Sequence, residues 1–200
     1  MFFTLEKLER NTKQLKDLRY RERMEIPSFD ASTPEEEPVG KRPESVVYTG
    51  TLKKGDFWIG RGTYLWTRQS VEIPVEWAGK KIAGLFNMGK TGEGLNSGFE
   101  GLIYVNGSPY CETGSYHEEV IFPSELAIRL WAGLEGGGVP TQQTHQFKQA
   151  ELAVLDEVAD DFYYSSRAVV ETVRMLDEND SIRRDLLTAM DRAHLAIDWR

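Results

Sequence analysis

Short apolar segments separated by turn residues constrain this chain more than any other feature of its sequence. They lie between about residues 45 and 135, and no segment with helical periodicity separates them. The clearest examples read SVVYTGTL, YLWTRQSVEIPVEW, KKIAGLFNMG, GLIYVNGSPY, EEVIFP and LAIRLWAGL. Parallel strands need long crossover connections that are usually helical, whereas tight turns join antiparallel strands. The pattern therefore predicts an antiparallel β-sandwich with flanking α-helices.

The strongest single turn signal is Asn106-Gly107, which directly follows the apolar run LIYV. A two-residue hairpin turn of the favoured type needs positive φ at both central residues, and asparagine and glycine tolerate this best. We therefore expect a β-hairpin centred on these two residues.

Two further segments of the β-rich block carry specific expectations. In SVEIPVEW, the residues Val71, Ile73, Val75 and Trp77 share one face of a predicted strand. Pro74 has no N–H to donate, so this strand is expected at a sheet edge or near its own end. KKIAGLFNMG is apolar on both faces and predicts a buried central strand.

The changes of pattern along the chain divide it into four segments. Residues 1–26 are predicted to hold an N-terminal helix, spanning 4–23, and 27–44 read as a proline-rich acidic linker that offers nothing to a core. The β-sandwich domain is assigned to 45–146. Residues 147–200 are predicted to form a helical connector.

Within this connector, apolar residues recur at alternating steps of three and four from Leu152 to Leu176. That spacing predicts one long amphipathic helix from about 148 to 177. Asp180 or Ser181 is expected to cap a further helix. This last helical pattern is unbroken at Arg200, so we expect the natural sequence to continue.

The composition of the chain indicates which classes of partner it is suited to bind and in which compartment it is expected. The net charge of −8 disfavours nucleic acid, which rewards clustered cations, and also disfavours anionic lipid surfaces. A single cysteine, Cys111, excludes an internal disulfide framework and indicates a reducing compartment. The sequence shows neither a signal peptide nor an apolar run long enough to span a membrane. We expect a cytoplasmic protein that binds neither membrane nor nucleic acid.

The sequence supplies no recognisable catalytic or metal-binding constellation. The three histidines, His117, His145 and His194, pair with no second ligand at metal-binding spacing. No spacing selects a pair of catalytic carboxylates. GKTGEGLNSG lacks the glycine spacing and the following helix of a phosphate-binding loop. We therefore assign no catalytic residue, no metal ligand and no cofactor to this chain.

Aromatic residues are the more informative signal for binding, because they stack on sugar rings as well as fill cores. Most of those in the β-rich block are expected to belong to the core. Tyr110, Tyr116 and His117, which follow the hairpin, are the candidates for contact with a carbohydrate.

The order of several segments resembles the N-terminal region of glycoside hydrolase family 38 α-mannosidases, in particular their cytosolic bacterial branch. These segments are LRYRERMEIPSF, LKKGDFWIGRGTYLWTRQSVEIPVEWAGKKIAGLFNMG, GFEGLIYVNGSPY, HEEVIFPSEL and AELAVLDEVADDFYYSSRAVVETVRMLDENDSIRRDLLTAMDRA. The resemblance covers essentially the whole chain. A smaller pattern, Arg68 before V-x-I-P-x-x-W and a later Y-V-N-G hairpin, resembles the jelly-roll, galactose-binding-like domains of other glycosidases.

The resemblance implies a retaining, metal-dependent enzyme that hydrolyses terminal α-mannose residues. In that family, zinc or another divalent metal and the aspartate nucleophile belong to an α/β domain that follows this region. No residue here matches the family's catalytic motifs. The resemblance therefore implies a non-catalytic N-terminal domain, a scaffold or a wall of the substrate cleft, that is inactive alone.

The same resemblance implies two partners, the protein's own catalytic domain and a mannose-containing glycan. Val173 and Leu176, late in the predicted helix, are expected to dock onto that catalytic domain. Two alternatives stay open from the sequence. The chain could be an autonomous carbohydrate-binding module, or its helices could mediate oligomerisation as a homo-oligomer.

Overall fold

The computed structural model describes residues 4–36, 40–89, 99–114, 117–121, 126–132 and 142–199. The chain divides into two compact units. A helical unit combines Met1–Arg21 with Leu155–Arg200, and a β unit comprises Glu22–Val154.

The helical unit contains three helices, α1 (Thr4–Leu18), α2 (Glu157–Met175) and α3 (Ser181–Leu195). Asp156 caps α2 by accepting a hydrogen bond from the Ala159 amide, and Asp180 caps α3 in the same way. Aspartate at this position accepts a hydrogen bond from one of the free N–H groups at the start of the helix. Its negative charge also interacts favourably with the positive end of the helix dipole. None of the described helices combines the length and apolar character that crossing a bilayer demands.

The helical unit has a core of its own, built from all three helices. Leu8, Val170, Val173 and Leu187 form its buried centre. Val173 is fully buried there, so the expectation that this residue is free to dock onto another domain is wrong. The apolar stripe of α2 is covered instead by residues of α1 and α3.

Arg19, just after α1, ties that end of the helix to α2. Its side chain is almost completely buried, and Nε donates a hydrogen bond of 2.6 Å to Asp160 Oδ1. The guanidinium also lies 4.8 Å from the ring centres of both Tyr163 and Tyr164. A buried arginine is tolerated because a carboxylate and aromatic faces replace its water.

The β unit is an antiparallel β-sandwich, as the sequence predicts. Its strands are β1 (Tyr20–Glu25), β2 (Ser28–Ala31), β3 (Gly50–Lys53), β4 (Phe57–Gly60), β5 (Tyr64–Gln69), β6 (Ile82–Asn87), β7 (Glu100–Val105), β8 (Ser108–Gly114), β9 (Glu119–Ile121), β10 (Leu126–Trp131), β11 (Gln143–Gln146) and β12 (Gln149–Leu155). A six-stranded sheet has the order β3-β2-β5-β10-β7-β8, a four-stranded sheet has the order β1-β12-β6-β9, and β11 pairs with β4.

The main core of the β unit contains residues from both larger sheets. The six-stranded sheet contributes Phe29, Leu65, Ile103, Ile128 and Leu130, and the four-stranded sheet contributes Ile82, Phe86, Val120, Leu152 and Val154. The predicted central strand, β6, is indeed buried at nearly every position.

The long helix predicted from about residue 148 begins only at Glu157. Residues Gln149–Leu155 form strand β12, which pairs antiparallel with β6. Leu152 and Leu155 satisfy a helical spacing, but Ala150, Leu152 and Val154 also alternate with a period of two. The spacing alone fits both a helix and a strand. The segment is a strand because it pairs with β6, where Leu152 lies opposite Gly84.

The segment predicted as a linker contributes a strand to the core. Ser28–Ala31 form β2, which pairs with β3 and β5, and Phe29 is fully buried. Likewise, α1 ends at Leu18 and not at residue 23, because Tyr20–Glu25 form β1. Flanking prolines and charges obscured these two short strands in the sequence.

The strand predicted through Pro74 is also wrong. β5 ends at Gln69, and Val75–Trp77 form a single 3₁₀ turn with Pro74 before it. Trp77 is buried nonetheless, and its Nε1 donates a hydrogen bond of 2.9 Å to Glu22 Oε2. Pro74 precedes this turn as its N-cap with an extended ψ of 136°, and it has no N–H to donate to a strand ladder.

The hairpin at Asn106-Gly107 is confirmed. Asn106 has φ of 49° and Gly107 has φ of 76°, which is the conformation that the tight turn requires. The turn joins β7 to β8.

We expect Val173→Ala to destabilise the chain by about 1.5–3 kcal/mol, because it removes buried methyl groups and leaves a cavity. Thermal or urea unfolding of the 200-residue chain measures this effect. The control is Met175→Ala, at a residue that is 87% exposed on the same helix. It should change stability by less than about 0.5 kcal/mol. Equal effects of the two substitutions would contradict the burial of Val173.

Candidate functional site

One row of residues crosses four strands of the six-stranded sheet on its outer face. Asp30 of β2 pairs with Arg68 of β5, Arg68 pairs with Ala127 of β10, and Ala127 pairs with Tyr104 of β7. Residues that pair directly across strands project from the same face. Ile128, the residue after Ala127 in β10, points into the core. Neighbouring residues of a strand point to opposite faces, so Ala127 and the row it belongs to lie on the outer face.

The short side chain of Ala127 creates a depression in this row. Arg68 and Tyr104, which lie on either side of it, carry much longer side chains. The resulting open depression has a volume of about 440 Å³. It is lined by Asp30, Pro43, Arg68, Gln69, Ser70, Tyr104, Asn106, Gly107 and Ala127.

Two local structures border the depression. One is the hairpin turn, which contributes Asn106 and Gly107, and the other is the 3₁₀ turn Pro43–Ser45. The two approach one another, since a Cβ added to Gly107 would lie 3.9 Å from Glu44 Oε2. The turn therefore presents side-chain and backbone polar groups to the depression as well as reversing the chain.

An aromatic layer supports the depression. Trp66, Tyr104 and Ala127 pack with Val46 in a small cluster, and Tyr48 packs against it. The rings of Trp66 and Tyr104 have centres 5.2 Å apart. Within the described part of the chain, the buried Trp66 Nε1 and Tyr48 Oη have no hydrogen-bond partner. An unsatisfied buried polar atom costs about 1–3 kcal/mol, so such atoms are rare in folded proteins.

Arg68 and Asp30 are the charged groups of the depression. Arg68 Nη2 donates to Asp30 Oδ2 over 3.4 Å, and both side chains are more than half exposed. This distance exceeds the usual 2.7–2.9 Å of a charge-assisted hydrogen bond by roughly half an ångström. The guanidinium also covers the Tyr48 ring at 4.3 Å from its centre. Both groups therefore retain hydrogen-bonding capacity toward a ligand.

Burial raises the pKa of Tyr48, and the charge of Asp30 raises it further while that of Arg68 opposes this. The Tyr48 hydroxyl is therefore protonated at neutral pH. It can therefore donate a hydrogen bond but does not act as a base.

The lining residues offer both donors and acceptors of hydrogen bonds to a ligand. They include amide, hydroxyl, carboxylate and guanidinium groups, but no histidine or cysteine that could activate Ser70 as a nucleophile. The thiol of Cys111 lies elsewhere on β8, and burial raises its pKa. A raised pKa keeps a thiol in its less reactive, protonated form.

Two of the three histidines, His145 and His194, are buried and already have partners suited to a structural role. His145 lies with Nδ1 2.8 Å from Gly89 O and Nε2 2.9 Å from Ala132 O, and its ring stacks on Trp58. In the helical unit, His194 Nε2 lies 3.1 Å from Ser166 Oγ. Burial lowers the pKa of His194, which keeps it neutral at pH 7.

Of the candidates chosen from sequence, Tyr110 lies on the edge strand β8 and His117 follows that strand, and neither lines the depression. Tyr110 is the extra residue of a β-bulge, since Ile103 pairs with Cys111 and Tyr104 pairs with Pro109. Its hydroxyl donates a hydrogen bond of 2.7 Å to Ile121 O of β9, and its side chain is 46% exposed.

His117 Nδ1 lies 2.9 Å from Glu112 Oε1, and both side chains are exposed. Tyr116 lies outside the described residues. Contact of Tyr110, Tyr116 and His117 with a carbohydrate stays a prediction.

Sequence reasoning missed Asp30 and Ala127 as site residues. Asp30 stands in the segment predicted as a linker, and an isolated alanine carries no signal of function. The available signal was the pair of short motifs around Arg68 and around Tyr104 to Gly107. These two motifs meet in the depression.

Comparison with known proteins gives little further information. No protein-family model matches the chain, and no curated protein matches it. One similar solved structure is that of CBM51-2, in complex with GlcNAc, and INT domains from Clostridium perfringens ZmpB. The two are 14% identical with a TM-score of 0.24, and the match covers 92% of this chain and 46% of that one. The chain thus spans about half of that structure, and a TM-score this low does not establish a shared fold.

We expect Tyr110→Phe to lower stability by about 0.5–1.5 kcal/mol, because it removes the hydroxyl that reaches β9 and leaves the ring in place. Chemical unfolding of the full chain measures the change. Glu112→Gln is the control on the same strand. It alters only an exposed pair with His117, and its effect should stay within about 0.5 kcal/mol. A Tyr110→Phe variant as stable as the native chain would show that the hydroxyl does not link the two strands.

Proposed function

We propose that the β unit is a non-catalytic carbohydrate-binding module and that its site is the depression around Ala127. The observation that carries this proposal is the cross-strand row Asp30–Arg68–Ala127–Tyr104, which sets polar groups around a small hollow. Ligand sites generally combine a concave, partly apolar surface with a few precisely placed polar groups. The depression has both features.

The chemistry of the lining suits a sugar. The amide groups of Gln69 and Asn106 and the hydroxyl of Ser70 can each donate and accept hydrogen bonds. A sugar hydroxyl has the same double capacity. Pro43 and Ala127 are the apolar residues among those that line the depression.

We further propose that this module belongs to a retaining, metal-dependent α-mannosidase of glycoside hydrolase family 38, as its N-terminal domain. The ordered sequence segments that resemble this family support the proposal. The module would then act as a scaffold or cleft wall beside the enzyme's own catalytic domain, with a mannose-containing glycan as its ligand. The expected compartment is the cytoplasm, from the cysteine content of the sequence.

The metal of such an enzyme does not fit the residues described here. No group of three histidine, cysteine, aspartate or glutamate side chains comes together among them. His145 and His194 are also engaged by carbonyl and hydroxyl oxygens. Under this proposal, zinc or another divalent metal is held by the catalytic domain.

Oligomerisation through the helices has less support than carbohydrate binding. The apolar stripe that suggested it is largely used inside the helical unit, where Val170 and Val173 are buried against Leu8 and Leu187.

Filling the depression should weaken sugar binding. We expect methyl α-mannoside to shift the amide NMR signals of Arg68, Asn106 and Gly107 in the native chain. Ala127→Leu should weaken this binding at least about tenfold, equivalent to about 1.4 kcal/mol, because the larger side chain occupies the hollow.

The matched control is Ala168→Leu, the same substitution at an exposed site on α2. It should bind like the native chain. Circular dichroism verifies that both variants are folded. Undiminished binding by folded Ala127→Leu, or signal changes centred on Tyr110 and His117 instead, would overturn the assignment of the site.

The chain by itself should not hydrolyse glycosides, because no nucleophile and base are brought together at the depression. The measurement is release of the chromophore from an aryl α-mannoside with zinc, cobalt or no added metal. Turnover that scales with this protein and persists through repurification would refute the non-catalytic assignment.

A further inference from the structure

The two charged groups of the depression, Asp30 and Arg68, play opposite roles in hydrogen bonding. An ionised aspartate only accepts hydrogen bonds, and an arginine only donates them. Asp30 and Arg68 are paired residues on neighbouring strands, with 3.4 Å between Nη2 and Oδ2. A ligand group that lies against both must therefore donate and accept at once.

A hydroxyl group meets this requirement, whereas carboxylate, sulfate and fully ionised phosphate groups do not. A hydroxyl can donate to the Asp30 carboxylate while accepting from the Arg68 guanidinium. The oxygens of an anion only accept, so an anion bound to Arg68 would place negative charge against Asp30. Two adjacent hydroxyls can each use one oxygen of Asp30 and one N–H of Arg68.

Negative charges also lie close to Arg68. The carboxylate of Glu44 lies beside the hairpin turn, 3.9 Å from the position of a Cβ on Gly107. The positive charge of Arg68 is therefore opposed by Asp30 within the depression and by Glu44 near the hairpin turn, while Arg129, 5.9 Å from the ring centre of Trp66, adds a positive charge on the same face of the sheet. The net charge of the chain, −8, disfavours an anion at longer range.

We infer that the depression selects an uncharged polyhydroxylated ligand. Asp30 accepts a hydrogen bond from one hydroxyl of a sugar ring, and Arg68 donates a hydrogen bond to the adjacent hydroxyl. This inference rests on the proposed carbohydrate-binding function and specifies its ligand class. Asp30 is the residue that excludes acidic sugars.

Two ligands that differ at a single group test the inference on the full chain. These are methyl α-mannoside and the corresponding uronoside, in which a carboxylate replaces the hydroxymethyl group. We expect the neutral glycoside to bind at least about tenfold more tightly by NMR titration. Its affinity should change less than about twofold between about 20 and 200 mM salt, since no charge on the ligand is screened.

Substitutions at the pair sharpen the test. Asp30→Asn replaces an acceptor-only group with an amide that also donates, and it should reduce the preference for the neutral glycoside at least about fivefold. Arg68→Gln should weaken binding of the neutral glycoside at least about fivefold. The matched controls are Arg167→Gln and Glu171→Gln, which disrupt an ion pair of similar exposure on α2. Both controls should behave like the native chain.

The outcomes separate this inference from the proposed function. Equal or tighter binding of the uronoside, or an unchanged preference in folded Asp30→Asn, overturns the inference while the chain is still a carbohydrate-binding module. If neither glycoside nor any neutral sugar of a wider panel binds, the proposed function fails, and the inference fails with it.

Discussion

The pairing of β5 with β2 on one side and β10 on the other is the constraint on which the β unit depends. A shift of one residue in this register would exchange the two faces of the strand. In the observed register, Thr67 points inward and its hydroxyl donates to Ile128 O over 3.1 Å. Its neighbour Arg68 then points outward, beside Asp30 and Ala127. The same ladder therefore builds the core and places the site.

The depth of the site comes from side-chain size and not from a break in the backbone. The outer face has large residues at Trp66 and Tyr104 and a small one at Ala127, so a continuous sheet still presents a hollow. The segment from Pro43 to Tyr48 packs against this face and borders it. Two polar atoms of the aromatic cluster on this face, Trp66 Nε1 and Tyr48 Oη, are left without partners among the described residues.

The two units are stabilised by different kinds of contact. In sequence, the β unit lies between the two segments of the helical unit. The β unit encloses one large core with residues from both larger sheets. The helical unit, formed from both ends of the chain, has a smaller apolar core and adds the buried contact of Arg19 with Asp160 and two tyrosine rings. A small core gains most from such a contact, because it buries less apolar surface per residue.

Local chemistry explains which parts of this fold are predictable. The sequence by itself determined the sandwich class and the Asn106-Gly107 hairpin, because turns and caps depend on the φ preferences and hydrogen bonds of adjacent residues. It could not determine the state of Leu152, whose spacing suits both a helix and a strand, until pairing with β6 decided it. Nor could it reveal the site. Asp30, Arg68 and Ala127 are distant in sequence and contribute to one hollow only through strand register, which is a property of the tertiary structure.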